Sequence, residues 1–178
     1  MSERARGTLL EGLAGRWAIE RAFEGEGARA AGVASLRPEG AETLAYRETC
    51  QLTLSDGRVF QAYRNYRYRF VDGLLEIHFD DGPDAGRLFV KLAFAQGTGR
   101  QAEAFDVHHC GDDTYRVVFR LDLPSSFETE IVVAGPRKNY RAVSRYTKLQ
   151  ERCPSPLAGE GVMRSMTDEG WSRAARRL

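Results

Sequence analysis

Ionisable and aromatic side chains that could bind or transform a small molecule recur on three segments of the chain. They are Glu48, then Arg64, Tyr66 and Tyr68, then Asp106, His108 and Tyr115. Arg64 could anchor the polar group of a ligand, with Glu48 as its partner, because a guanidinium presents a planar fork to a carboxylate or phosphate. Asp106 could fix the tautomer of His108 and so make that imidazole a base. The competing interpretation of Glu48 and Arg64 is a structural ion pair that satisfies itself. For His108 the competing interpretations are a histidine at the barrel rim or a solvated His/Asp pair.

The same residues give little support for a metal or a cofactor. His108 and His109 are neighbours on a predicted strand, so they point to opposite faces, and no third ligand follows at zinc spacing. A lone inward His108 could bind haem iron, but nothing else in the sequence supports haem. Cys50, Cys110 and Cys153 lack CxxC spacing, which favours reduced thiols, with Cys50 as an inert one. GxSxG, P-loop and GxGxxG motifs are absent, so nothing in the sequence supports a hydrolase, a kinase or a Rossmann fold. Together with the histidine spacing, this predicts no cofactor and no metal.

The charge balance argues against a nucleic-acid partner and the hydropathy against a membrane. Lys+Arg 26 against Asp+Glu 25 give a net charge of +1, so the chain carries no general positive field. The segment 63–69 interleaves tyrosine and arginine as single-strand grooves do, but alternation along a strand sends the two types to opposite faces. The sequence has neither a long apolar run nor an apolar leader at its start, and we therefore expect a cytoplasmic protein.

The elements that must position the candidate residues are predicted to be β-strands. Runs rich in Val, Phe, Tyr and Thr recur between Gly, Asp and Pro, and the short links between them force antiparallel neighbours. We therefore predict an all-β fold, an antiparallel up-and-down β-barrel of about 8–10 strands, with a helical turn over 8–14 that could plug one end. The strands are expected at 15–24, 29–38, 42–54, 58–71, 74–80, 86–95, 101–110, 113–123, 127–134 and 139–149.

The chain divides into a barrel domain over 1–150 and a tail over 151–178. The tail holds two prolines and three glycines and shows no sustained periodicity. It cannot bury enough apolar surface to offset the entropy of ordering, so it is predicted to be disordered.

Turn signals fix the strand registers and therefore the interior. The turn at 55–57 places Glu48 opposite Arg64, and the Asp-Gly turn at 72–73 places Tyr68 opposite Ile77. Both turns assign the same inward set, which is Phe60, Ala62, Arg64, Tyr66, Tyr68 and Phe70.

A third turn, at 111–112, places His108 opposite Tyr115 and Asp106 opposite Val117. The strand from Tyr115 to Leu121 alternates apolar and charged residues, so Asp106 and His108 are expected to face inward with its apolar set. So many ionisable groups in one interior favour a space that water or a ligand shares.

Both termini of the predicted barrel resemble known patterns. Gly15-Arg16-Trp17 after a helical turn, with a last strand over 139–146, resembles the terminal signatures of lipocalin-like (calycin) barrels. The resemblance implies that Trp17 closes one end and that Arg141 or Arg145 covers it in a cation–π contact. The segments GRWAIER, HHCGDDTYR at 108–116 and GPRKNY at 135–140 are similar to an uncharacterised bacterial domain family of unknown function, over about residues 12–149. That similarity implies the barrel and no activity.

The leading hypothesis is that the barrel binds a small, partly hydrophobic ligand in its interior. The ligand's polar end would meet Glu48, Arg64 and His108, and tyrosines would line the wall. The first alternative is an isomerase, cyclase or decarboxylase that acts on a hydrophobic acid in the same cavity. The second is a structural or interaction protein with a filled barrel. Whether the chain is an enzyme and what its oligomeric state is stay open at this point.

Overall fold

Ten antiparallel strands form one continuous sheet in the computed structural model, which describes residues 9–94 and 101–150. The predicted tail at 151–178 lies outside the described residues. The strands are β1 (Gly15–Glu24), β2 (Ala28–Pro38), β3 (Thr43–Thr53), β4 (Val59–Val71), β5 (Leu74–Phe79), β6 (Leu88–Leu92), β7 (Gln101–Cys110), β8 (Asp113–Asp122), β9 (Ser126–Ala134) and β10 (Asn139–Lys148).

The sheet follows the chain as a meander and curls into a nearly closed barrel. Its order is β6-β5-β4-β3-β2-β1-β10-β9-β8-β7, so β1 pairs with β10 and the two edges are β6 and β7. Across this seam the backbone N–H of Lys91 on β6 donates to Asp106 Oδ2 on β7 at 2.7 Å. The all-β up-and-down barrel predicted from the sequence is confirmed, in a nearly closed form.

The three predicted hairpin registers are confirmed. Glu48 lies opposite Arg64, Tyr68 opposite Ile77, and His108 opposite Tyr115. At the second hairpin the backbone has φ +49° at Asp72 and +81° at Gly73, the pair of positive values that a type I′ turn requires. The sixth strand begins later than expected, at Leu88, because the segment over 80–87 is a series of turns and bends that carries Gly82, Pro83 and Gly86.

One end of the barrel, here called the closed end, is packed solid. A helical turn over 9–13, α1, covers it and buries Leu13 against Trp17, and the Trp17 indole N–H donates to the Leu13 carbonyl at 2.9 Å. Phe127 meets the Trp17 ring edge-on at 4.8 Å between centroids. The predicted role of Trp17 as the residue that closes this end agrees with its complete burial.

The cation that covers Trp17 is not one of the expected arginines. Lys148 places Nζ 4.3 Å from the centre of the Trp17 ring. On β10 the even-numbered residues face the interior, so Arg141 and Arg145 point outward, where they pair with Glu130 and Glu128. The expectation for Arg141 or Arg145 is therefore wrong, and the alternation of the last strand is the reason.

Candidate functional site

A cavity of about 350 Å³ occupies the opposite half of the interior and reaches the surface at the open end of the barrel. The open end is defined here by the β5–β6 connection and the ends of β7 and β9, where the lining includes Arg87, whose side chain is 64% exposed, and Cys110. The lining residues are Arg21, Phe23, Tyr46, Glu48, Arg64, Tyr66, Tyr68, Ile77, Phe79, Pro83, Asp84, Arg87, Phe89, His108, Cys110, Tyr115, Val117, Phe119, Thr129, Ile131, Lys138, Tyr140, Ala142 and Tyr146.

A buried ion pair forms the floor of the cavity. The Arg21 guanidinium on β1 donates two parallel hydrogen bonds to the Glu48 carboxylate on β3, from Nη1 to Oε1 and from Nη2 to Oε2, each of 2.9 Å. Arg21 Nε also donates to Ser144 Oγ at 2.6 Å, and the Tyr46 hydroxyl donates to Glu48 Oε2. Tyr146 joins this group through its hydroxyl, 3.2 Å from that of Tyr46. The bidentate geometry and the extra hydrogen bonds are what allow two charges to stay buried.

The floor holds its charges in a fixed state. Burial raises the pKa of Glu48, but the adjacent Arg21 charge and the hydrogen bonds from Arg21 and Tyr46 outweigh it and leave that pKa below 4.5. Burial and the neighbouring Glu48 charge raise the pKa of Tyr46 well above 10.0. Glu48 is therefore a weak base and Tyr46 a weak acid, so the pair is suited to holding a structure or a ligand rather than to exchanging a proton.

Aromatic rings line one wall towards the open end. Phe89 stacks on Tyr66 at 5.8 Å between centroids and meets His108 edge-on at 5.3 Å. Phe79 lies 5.0 Å from Phe89, and Tyr115 lies 6.0 Å from His108. Burial, and then the charge of Arg87, lower the pKa of His108 below 6.5, so at neutral pH this imidazole is an uncharged member of the aromatic wall.

Hydrogen-bond donors gather beside this wall. Arg64 Nη1 donates to the Tyr66 hydroxyl at 3.1 Å, and Lys138 Nζ donates to the Tyr115 hydroxyl at 3.0 Å. Lys138 also forms an ion pair with Asp113 at 3.2 Å. Burial raises the pKa of Tyr140, another residue of this part of the lining, to about 12. Arg64, Lys138 and these tyrosines all line the same cavity.

Six of the seven residues singled out from the sequence line this one cavity, and Asp106 is the exception. Its carboxylate turns to the seam, where it accepts the backbone N–H of Lys91 at 2.7 Å and that of Val107 at 2.8 Å. The expected Asp106–His108 pair is therefore corrected: the strand at the seam has no ladder partner on that side, and the carboxylate takes over part of its hydrogen bonding.

Two further residues belong to the site and were missed. Arg21 is the bidentate partner of Glu48, where the sequence suggested Arg64; alternation along β1 from buried Trp17 and Ile19 was the signal that could have found it. Lys138 lies in the β9–β10 connection, where side-chain direction follows no period, so no comparable signal existed.

The described part of the chain contains no cluster of side chains that could bind a metal ion. Residues 9–94 and 101–150 hold no group of three or more His, Cys, Asp or Glu side chains placed to hold an ion. Burial raises the pKa of Cys50 to about 12, which keeps this thiol protonated and unreactive. Across those same ranges, no helix has the length and apolar character needed to span a bilayer.

Comparison with known proteins identifies a family and a fold. Over residues 13–148 the chain matches the model of a family of unknown function, DUF6314. No curated protein matches. The S-type phycobiliprotein lyase CPES from Guillardia theta is similar in structure, with a TM-score of 0.53 at 7% identity, over 85% of this chain and 99% of that one. At that identity the likeness concerns the barrel alone.

Designed barrels resemble the chain more distantly. A fluorescence-activating β-barrel designed de novo is 12% identical, with a TM-score of 0.46 over 80% of this chain and 98% of that one. The redesigned β-barrel mFAP1, bound to DFHBI, is 15% identical, with a TM-score of 0.42 over 79% of this chain and 99% of that one. The family match extends from the last residue of α1 to the last residue of β10, and the chain therefore belongs to the family of unknown function DUF6314.

Proposed function

We propose that this protein binds a small, partly apolar molecule inside the barrel. The observation that carries the proposal is the cavity of about 350 Å³ at the open end, since its volume falls in the range of roughly 300–1,000 Å³ that small-molecule sites occupy. Ten of its 24 lining residues are aromatic, and polar groups among the others, such as those of Arg21 and Glu48, are held in place by hydrogen bonds. This is the usual composition of a site that recognises an apolar body and orients it by one polar end.

The sequence candidates take unequal parts in this proposal. Tyr66, Tyr68, His108 and Tyr115 supply wall surface, and Arg64 supplies donors. Glu48 lines the floor, where its role is to hold Arg21 and Tyr46 in position. Asp106 has no role in ligand binding in this proposal, because its carboxylate accepts a backbone hydrogen bond between β6 and β7.

Binding is favoured over the two alternatives by specific contacts. A filled barrel would be packed through its interior, whereas about 350 Å³ of space lies inside this one. The enzyme hypothesis depended in part on Asp106 orienting His108, and Asp106 instead accepts backbone N–H groups at the seam. Its other candidates, Glu48 and Tyr46, have pKa values displaced away from neutrality.

Native mass spectrometry of protein purified from its own host tests the proposal. We expect a bound small molecule whose mass is present under native conditions and lost on denaturation. Ala142 lines the cavity between the wall and the floor, so Ala142→Phe should fill the space and remove the bound mass, while a thermal melt confirms that the variant is folded. A wild-type protein that carries no bound mass and also fails to bind the neutral dye N-phenylnaphthylamine would contradict the proposal.

A further inference from the structure

We propose further that the ligand carries a neutral oxygen, in a carbonyl or an alcohol, and that the hydroxyl groups of Tyr68 and Thr129 bind this oxygen deep in the cavity. The inference rests on the proposed function and deepens it, since it names the polar group of the ligand and the place where that group binds.

Tyr68 is a buried tyrosine whose hydroxyl is directed at the cavity. Only 3% of the residue is exposed, and it belongs to the cavity lining. Within residues 9–94 and 101–150 no group forms a hydrogen bond with its oxygen, and the protein does not cover that oxygen completely. A buried hydroxyl without a hydrogen bond is costly, so we expect this one to bind a molecule that enters the cavity.

Thr129, on β9, presents a second hydroxyl of this kind. It is 5% exposed and lines the same cavity. Its side-chain oxygen likewise has no hydrogen-bond partner in the described part of the chain and is not completely covered. In the sheet Thr129 lies opposite Phe119, whose ring meets the Tyr68 ring edge-on with centroids 6.4 Å apart. Tyr68 and Thr129 are therefore both neighbours of Phe119.

Both hydroxyl groups adjoin the floor of the cavity, whose own polar groups are bonded to one another. Tyr68 stacks on Tyr46 at 5.5 Å between centroids, and Thr129 lies opposite Ser144 in the sheet. Tyr46 and Ser144 both take part in the hydrogen bonds of the floor. The contrast between this bonded floor and the two hydroxyl groups beside it marks where the polar group of a ligand would bind.

The charges of the floor favour a neutral group at this place. Arg21 and Glu48 already neutralise each other through two parallel hydrogen bonds. An ionised ligand group beside them would lose its hydration and gain no net opposite charge from the pair. Burial raises the pKa of Tyr68 well above 10.0, so its O–H stays protonated and can donate. A carbonyl oxygen accepts such a hydrogen bond, and an alcohol can accept and donate.

Two neutral dyes of similar size test the inference. Prodan, a propionyl dimethylaminonaphthalene, has a ketone, and N-phenylnaphthylamine has none. Tyr68→Phe should weaken the binding of Prodan about fivefold, which is the contribution of one neutral hydrogen bond, and leave the affinity for N-phenylnaphthylamine almost unchanged. The emission of bound Prodan should also move to shorter wavelength, because its carbonyl loses a hydrogen bond. Thr129→Val should act in the same direction. Tyr63→Phe makes the same change on the outer face of β4 and is the matched control, which should match wild type.

The stability of the variants separates a ligand contact from a structural one. Because the Tyr68 hydroxyl has no hydrogen bond to the described part of the protein, Tyr68→Phe should leave the midpoint of urea unfolding unchanged. Three results would overturn the inference while the proposed function stands: a lowered midpoint in Tyr68→Phe, wild type that binds N-phenylnaphthylamine but not Prodan, or a ratio of the two dissociation constants that neither Tyr68→Phe nor Thr129→Val alters. If wild type binds neither dye, or if binding survives Ala142→Phe, the proposed function falls and the inference falls with it.

Discussion

The two ends of the barrel are built from the same strands and the same inward alternation, yet one is solid and the other hollow. At the closed end Phe127 stacks on Tyr146 with centroids 4.0 Å apart and meets Trp17 at 4.8 Å. At the open end the shortest ring contact of Phe89 within the described part of the chain is 5.0 Å, to Phe79. The difference shows that alternation decides which residues face inward, whereas side-chain size and the covering element decide whether they meet.

The boundary between the two ends is the Arg21–Glu48 pair. Below it, Trp17 and the helical turn fill the space; above it, arginine, lysine and tyrosine side chains bond to one another along the wall instead of meeting across the middle. Polar side chains whose hydrogen-bond partners lie at the wall do not extend into the middle of the barrel. They therefore leave a space that apolar side chains would fill by packing against one another.

The largest effect is expected at the closed end. Trp17→Ala removes a completely buried ring and the anchor of α1, and should lower the free energy of unfolding by about 4 kcal/mol. Phe89→Ala, in the wall of the cavity, should cost clearly less because its ring already borders open space. Urea titration of the two variants measures the difference, and equal losses would break the comparison between the ends.

The boundary pair should produce the next largest effect. Glu48→Gln leaves the buried Arg21 charge without its carboxylate and should lower the free energy of unfolding by about 3 kcal/mol. Replacing both residues together, Arg21→Leu with Glu48→Leu, should recover most of that loss, since apolar side chains of similar size avoid the desolvation cost. Chemical denaturation tests this, and a double variant as unstable as the single one would show that the pair stabilises the fold in its own right.

Matched substitutions at small inward residues sharpen the comparison further. Ala34 packs between Trp17 and Glu48 and is fully buried, so Ala34→Leu should cost about 2 kcal/mol by overpacking. Ala142→Leu projects into the cavity and should leave stability unchanged or raise it slightly, while weakening the binding of N-phenylnaphthylamine. Thermal melts and dye titration on the same samples separate the two cases; a large loss of stability in Ala142→Leu would mean that the open end is as tightly packed as the closed one.

Sequence reasoning predicted the barrel and its interior best where short turns fixed the register. The hairpins at 55–57 and 72–73 place Arg64, Tyr66 and Tyr68 inward without any knowledge of distant strands. They could not reveal which cation meets Glu48, because Arg21 approaches from β1, a strand that is not its neighbour in the sheet. A contact that reaches over the intervening strand β2 depends on the curvature of the sheet, about which the two turn signals carry no information.

The seam shows a different limit. Alternation correctly puts Asp106 on the same face as Ala104. At an edge strand, however, backbone N–H groups without a ladder partner can bind a nearby carboxylate, and Asp106 accepts the N–H of Lys91 in this way. Which strands form the edges follows from the pairing of β1 with β10, a long-range contact. The place of Lys138 in the site likewise depends on the path of a connection between strands, for which the sequence offers no periodicity.

The smallest effect is expected on the outer face, away from the comparison of the two interiors. Hydrogen bonds from Arg141 and Arg120 lower the pKa of Glu130 from 4.5 to about 2. The unfolded chain therefore takes up this proton first as the pH falls, and the stability that the folded carboxylate contributes is present above pH 4.5 and is lost between pH 4.5 and about 2.

Glu130→Gln should flatten that part of the stability profile and cost less than about 1 kcal/mol at neutral pH, because its arginine partners are solvent-exposed and the attraction is screened. Denaturation across the acid range measures the slope. The affinity for N-phenylnaphthylamine should match wild type, because the Glu130 carboxylate accepts hydrogen bonds from arginines on the outer face of the barrel; a changed affinity would show that the outer ion pairs control the shape of the cavity.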